Sequence, residues 1–227
     1  MNMPFYVAPE QVMKDRADYA RKGIARGRSL VAFQFDGGIA ICAENTSSTL
    51  RKISEIYDRI AFAGVGKYNE FDQLRIAGVR HADMKGYAFS REDVDARSLA
   101  NQYAQSLGQI FTHEMKPMEV EILVAEVGFA EDGSQDQLFH ILYDGTVMDE
   151  DSAVVLGGET DVISERLGTF KKIPTLKDGL TRVVAALAGP DRELFAASLE
   201  VGVLQRSEPR RAFRRLDDEA VASILGS

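Results

Sequence analysis

The sequence predicts an α+β fold, a four-layer αββα sandwich in which two antiparallel sheets pack face to face between helix layers. Three observations lead there. The elements come in blocks (strands, two helices, strands, two helices, strands), whereas a doubly wound parallel sheet would alternate helices with single strands. Each helical pattern carries an apolar stripe, and two stacked sheets with a helix layer outside each would bury every stripe. The 227 residues suit one domain with a large core, or at most two small ones. We read residues 9–227 as a single domain, preceded by a tail over residues 1–8 and opened by an extra N-terminal helix.

Met1 to Val7 is short, uncharged and partly apolar, with Pro4 breaking regularity. Pro9 stands where a helix would start, as proline prefers the first helical turn. Met13, Ala17, Ala20 and Ile24 continue as an i, i+4, i+7, i+11 stripe, and Gly23 and Gly27 are expected to loosen its end. Leu30–Phe35 and Ile39–Ala43 are apolar runs around Asp36-Gly37-Gly38, a hairpin signal. Lys52–Ile60 and Ala61–Val65 are expected to continue that sheet.

Two helices follow, from about Asn69 to Asp83 with Phe71, Leu74 and Gly78 on one face, and from near Asp95 with Leu99, Tyr103, Leu107, Ile110 and Phe111. The second ends before Pro117. Strands resume at Val120–Val127, Leu138–Tyr143 and Val154–Leu156, with turns at Glu131-Asp132-Gly133-Ser134 and Asp144-Gly145. Helical patterns return at Thr160–Leu167 and Leu176–Leu187. Strands at Phe195–Leu204 and Ala212–Leu216 and a short helix from Asp218 close the chain.

Composition narrows the function classes. A net charge of −8 argues against general nucleic-acid binding, which needs a basic face. No apolar run approaches the ~20 residues that span a bilayer, and the N-terminus lacks the pattern of a secretory signal. The single cysteine, Cys42, forbids an internal disulfide and fits a reducing cytoplasm. Cys42 sits between Ile41 and Ala43 and reads as a small buried hydrophobe; a nucleophile would want a histidine base, and none is near in sequence.

The stretch Lys52 to Leu74, KISEIYDRIAFAGVGKYNEFDQL, is the most informative. A lysine starts a short strand, a Tyr-Asp turn reverses it, a small-residue strand ends at Gly64-Val65-Gly66, and a helix opens at Asn69. With Ala20 to Arg26 (ARKGIAR), Lys116-Pro117, Glu119-Val120-Glu121 and Pro209 to Arg215 (PRRAFRR), this order resembles the proteasome and N-terminal-nucleophile hydrolase superfamily. The flanks resemble its actinobacterial α-type branch. The likeness covers nearly the whole chain and implies the same αββα sandwich. Pro9 to Arg26 resembles the extra helix that α-type members keep where catalytic members expose an N-terminal threonine. Of the archaeal and eukaryotic pattern, a glycine-arginine-leucine-phenylalanine stretch ahead of the helix's glutamate-tyrosine, this chain has only Asp18-Tyr19.

The chemistry can be tested on the residues. An N-terminal nucleophile needs its hydroxyl or thiol on the residue whose free α-amine is the base. The family's first hairpin places that residue at Arg28, which offers no nucleophile. Ser29 is adjacent, but cleavage there would discard an amphipathic helix, and a one-residue slip turns a strand side chain to the opposite face. The superfamily's other catalytic positions match Glu44 and Lys52. We therefore expect no catalytic residue in this chain, with self-processing at Ser29 to an active hydrolase as the alternative.

By resemblance, Lys52 lines a pocket between neighbouring subunits and pairs with the C-terminal carboxylate of an activating ATPase, a role suited to a compact ammonium. Gly27 and Lys67 match other positions of that pocket. The plain alternative for Lys52 is a solvated lysine at a strand start. The resemblance likewise makes Met1, Asn2, Met3, Pro4, Phe5, Tyr6 and Val7 a gate over an axial pore, where Met3, Phe5 and Tyr6 offer apolar contact; the alternative is a disordered terminus. The implied partners are identical α-subunits in a heptameric ring, a β-subunit ring in an α7β7β7α7 particle, a hexameric proteasome-activating ATPase and unfolded proteins carrying a ubiquitin-like tag. The implied location is the cytoplasm. No cofactor, metal, nucleic acid or membrane is expected.

Other candidates are weak. His81, His113 and His140 lack metal-ligand spacing. Gly157-Gly158 lacks the lysine and threonine of a phosphate loop and reads as a tight turn. Arg210, Arg211, Arg214 and Arg215 read as salt bridges or a subunit contact in an acidic chain.

Overall fold

A computed structural model of the chain describes residues 8–129, 135–169 and 175–226. Its elements are α1 (Pro9–Ile24), β1 (Leu30–Phe35), β2 (Gly38–Glu44), β3 (Ile53–Tyr57), β4 (Ile60–Gly66), α2 (Tyr68–Ala88), α3 (Ala96–His113), β5 (Val120–Glu126), β6 (Gln137–Ile141), β7 (Val147–Glu150), β8 (Ala153–Leu156), α4 (Thr160–Leu167), α5 (Leu176–Ala188), β9 (Leu199–Gln205), β10 (Phe213–Leu216) and α6 (Asp218–Leu225). The strands form two five-stranded antiparallel sheets, ordered β10-β9-β2-β1-β8 and β3-β4-β5-β6-β7.

Side-chain alternation builds the four layers. Leu30 and Ala32 of β1 and Ile39 and Ile41 of β2 meet Ala61, Ala63, Leu123 and Ala125 of the other sheet in one apolar cluster between the sheets. Val31, Phe33, Ala40 and Cys42, on the opposite face, pack instead with α4, α5 and α6 through Ile163, Leu180, Val183 and Val221. Ile60, Phe62, Ile122 and Val124 pack with α2 and α3 through Phe71, Leu74, Leu99 and Tyr103. Period two in the strands thus sorts the buried apolar residues of the sheets into three clusters. Asp95 caps α3 by accepting from Ser98 N at 2.7 Å, and Thr175 caps α5 by accepting from Asp178 N at 3.1 Å.

α1 is part of this body. Ala20 and Ile24 are fully buried in the inter-sheet cluster. Ala17 packs against the same cluster, whereas Met13, 38% exposed, lies beyond it. Gly23 does not loosen the helix. It lies within α1, and a Cβ there would come 2.3 Å from Glu119 Oε1, so its missing side chain lets α1 lie on the head of β5.

Several sequence expectations need correction. β3 and β4 open the second sheet rather than continuing the β1–β2 hairpin, because residues 45–52 carry the chain across the sandwich. β3 ends at Tyr57 and β4 begins at Ile60, around an Asp58-Arg59 turn. β7 was not predicted: its four residues alternate too weakly, and it is an edge strand paired only with β6. α2 runs to Ala88, past Asp83. β6 stops at Ile141, before the turn at Gly145, which takes φ +87°. Residues 196–198 form a short 3-10 turn, so β9 starts at Leu199 rather than Phe195. The tail Met1 to Val7 and the turn at Glu131 to Ser134 lie outside the described residues.

Candidate functional site

The residues matched to the catalytic positions come together. Arg28, in the turn between α1 and β1, donates from its guanidinium to Glu44 at the end of β2. Lys52 Nζ donates to the backbone carbonyl of Arg28. Arg192, beyond α5, closes on the same carboxylate at 3.1 Å from Oε1 and 3.3 Å from Oε2. Glu44 is buried between these two arginines. A cavity of about 440 Å3 opens beside them, lined among others by Gly27, Arg28, Glu44, Arg166 and Arg192.

The position matched to the nucleophile carries an arginine. The α-amine of Arg28 is committed to its peptide bond with Gly27, and its side chain is an ion-pair donor. Ser29 is buried, and its Oγ lies against Gly157: a Cβ at that glycine would come 2.7 Å from it. Cutting before Ser29 would remove the carbonyl that Lys52 holds and release α1, whose Ala20 and Ile24 belong to the core.

Lys52 sits in the loop leading into β3. Its ammonium is pushed down from the usual lysine value to about 8, chiefly by burial; Glu200 and Glu44 oppose the shift, and Arg28 adds to it. Below that pH it is a cation. Gly27 and Lys67 lie beside the same turn. A Cβ on Gly27 would come 3.0 Å from Gly66 N and from Val65 Cγ1, so the 27–28 backbone is laid directly on the end of β4. Gly66 takes φ +107° with its Cα against Glu119 O, which a side chain would obstruct. Lys67 follows, donating its N–H to Glu119 O at 2.9 Å and placing its ammonium 3.6 Å from Glu70. The three residues therefore gather around one turn, although they are distant in sequence.

Two members of the cluster were not foreseen. Glu200, 3% exposed in β9, accepts from Lys52 N at 2.9 Å, Ile53 N at 3.2 Å, Asn45 Nδ2 at 2.7 Å and the Arg215 guanidinium. The signal was a glutamate inside the apolar run Leu199–Leu204, since a carboxylate is seldom buried without partners. Arg192 had no signal in the sequence.

Of the remaining candidates, Arg215 joins the cluster through Glu200 and Gly157 abuts Ser29, while the others stay apart. Cys42 is fully buried, and burial pushes its thiol up to about 12, the state of an inert side chain. His140 lies between Glu121 at 3.5 Å and Glu150 at 3.9 Å, while His113 is near Gln109 O and His81 lies on α2. Among the described residues no three such side chains could hold a metal. Gly157 takes φ +123° in a tight turn, as expected. Arg211 pairs with Glu55 at 2.7 Å and Arg215 with Glu200. No helix among the described residues is long and apolar enough to cross a membrane.

Comparison with known proteins identifies the family. The family described as "Proteasome subunit" matches residues 24–189. A protein of Acidimicrobium ferrooxidans named "Proteasome subunit alpha" is 62% identical over 227 residues, covering 100% of this chain and 97% of the relative. Proteins of the same name from Sanguibacter keddieii and Thermobifida fusca are 57% and 55% identical over 237 and 229 residues, covering 100% and 99% of this chain and 91% of each relative. The chain belongs to the proteasome family, in its α-type branch, and so to the core particle that degrades proteins.

Proposed function

We propose that this member of the proteasome family is a non-catalytic subunit that forms the outer heptameric rings of an α7β7β7α7 particle in the cytoplasm. In this reading it controls access to the chamber of the β-subunits and docks a hexameric ATPase that delivers proteins carrying a ubiquitin-like tag. The observation that carries it is Arg28. The position of the nucleophile is filled by a guanidinium locked to Glu44, and α1, which a self-processing enzyme would discard, is built into the core.

Lys52 is the anchor for the ATPase in this reading. Its ammonium, beside the Gly27 turn and Lys67, would receive the terminal carboxylate of a docked tail. Such a charge-assisted contact contributes roughly 1.5–3 kcal/mol, about ten- to a hundred-fold in affinity for each tail, and several tails on one ring compound the effect. The test is binding of a peptide carrying the ATPase's C-terminal residues to rings of wild type and Lys52→Ala. Weaker binding to the variant is expected; equal affinity would show that Lys52 is not the anchor. Intact mass settles the alternative of self-processing. A chain that retains the residues before Ser29 supports the present reading, and one beginning at Ser29 supports an active hydrolase.

A further inference from the structure

We infer that Glu200 is the positioning residue of the docking site: it fixes the backbone of Lys52 and keeps the Lys52 side chain cationic at neutral pH. The inference rests on the reading of Lys52 as the docking cation; the positioning stands on the hydrogen bonds to the Lys52 and Ile53 backbone, and the effect on the ammonium on the charge of the same buried carboxylate beside it.

Glu200 has a 1% exposed side chain and is surrounded by donors. It takes the N–H groups of Lys52 and Ile53, the amide of Asn45 and the guanidinium of Arg215. Together these partners tie three segments to β9: the start of β3, the loop at Asn45, and β10. Asn45 also donates to Leu50 O at 2.8 Å, closing the loop that carries Lys52 between the sheets. Arg215 also donates to Ile53 O at 2.6 Å, holding β10 to the start of β3. Both backbone groups that frame Lys52 therefore end on one carboxylate.

The same carboxylate acts on the ammonium electrostatically. The charged groups facing Lys52 are Arg28 from the α1–β1 turn, Glu44 from β2 and Glu200 from β9; Arg192 and Arg215 reach the cluster through those two carboxylates. Burial and Arg28 drive the proton off Lys52, whereas Glu200 and then Glu44 hold it on. Glu44 is shared between two arginines, which blunts its effect on Lys52. Glu200 is the larger of the two stabilising charges. A tail carboxylate is ionised well below neutrality, so docking is limited by the lysine. It is present below about pH 8 and lost as pH rises through that value.

The test follows Lys52 itself in assembled particles. Competitive acetylation across pH, read by mass spectrometry of the Lys52 peptide, gives the midpoint at which its amine becomes reactive. Glu200→Gln should move that midpoint down by roughly one pH unit or more, the effect of losing a neighbouring opposite charge. Because Gln at this site also leaves Arg215 without its counter-ion, Glu200→Gln/Arg215→Met is made in parallel, and it should show the same downward shift. An unchanged midpoint in the double variant overturns the inference. Affinity for the C-terminal peptide, with a free carboxylate and as its amide, is measured over the same range. Loss of free-carboxylate binding at the shifted midpoint supports both the inference and the docking reading. A shifted midpoint with equal binding of the two peptides at every pH upholds the role of Glu200 on Lys52 and rejects the docking.

Discussion

Replacing Arg28 by threonine puts a hydroxyl back beside Glu44 and Lys52, yet the α-amine of residue 28 remains in its peptide bond with Gly27. The free amine is the base of this chemistry, so Arg28→Thr is expected to turn over no peptide while α1 stays attached. Assay of that variant with fluorogenic peptides checks it, and turnover by the intact chain would show that the base comes from elsewhere. Arg28, Glu44 and Lys52 were legible in the sequence because family spacing places all three. Glu200 and Arg192 were not. Glu200 meets Lys52, and Arg192 meets Glu44, across 148 residues of chain in each case, and only the folded sandwich joins them.

Helices and sheets meet at a few positions where a small residue is required. Gly78 of α2 faces the hydroxyl of Tyr103 on α3, and a Cβ there would fall 1.8 Å from that oxygen. The hydroxyl is itself held, donating to Leu74 O at 3.0 Å. Gly78→Ala must push α2 and α3 apart or break that bond, at a cost of about 1–3 kcal/mol, read as a lowered midpoint in denaturant. Phe62 is fully buried in β4, its ring 5.8 Å from that of Tyr103. Phe62→Ala should cost about 3–5 kcal/mol by leaving a cavity under the same two helices, measured the same way. Apolar stripes made the helices legible, although α2 runs past the expected Asp83 to Ala88. Sheet membership was not: β3 follows β2 within nine residues, but the hairpin rule says nothing of a loop that crosses between layers. β7 escaped for a related reason, since four residues at an edge, three half-buried and one exposed, carry too little alternation to read.

The whole molecule was legible at the level of layers because the order of blocks admits few packings, and the three apolar clusters fill the layers as expected. Assembly lies a step further. The tail Met1 to Val7 precedes a helix anchored on the sandwich through Ala20 and Ile24, and its apolar residues suit a plug in the proposed ring of seven. Deleting it should raise peptide hydrolysis by assembled particles without altering β-subunit chemistry; equal rates for full-length and truncated particles would remove the gate from this account. The central claim is that the chain itself cuts nothing, and the most direct measurement is hydrolysis of fluorogenic peptides by the purified chain without β-subunits. The account predicts no turnover at any concentration of enzyme. Turnover that disappears in Ser29→Ala would contradict it.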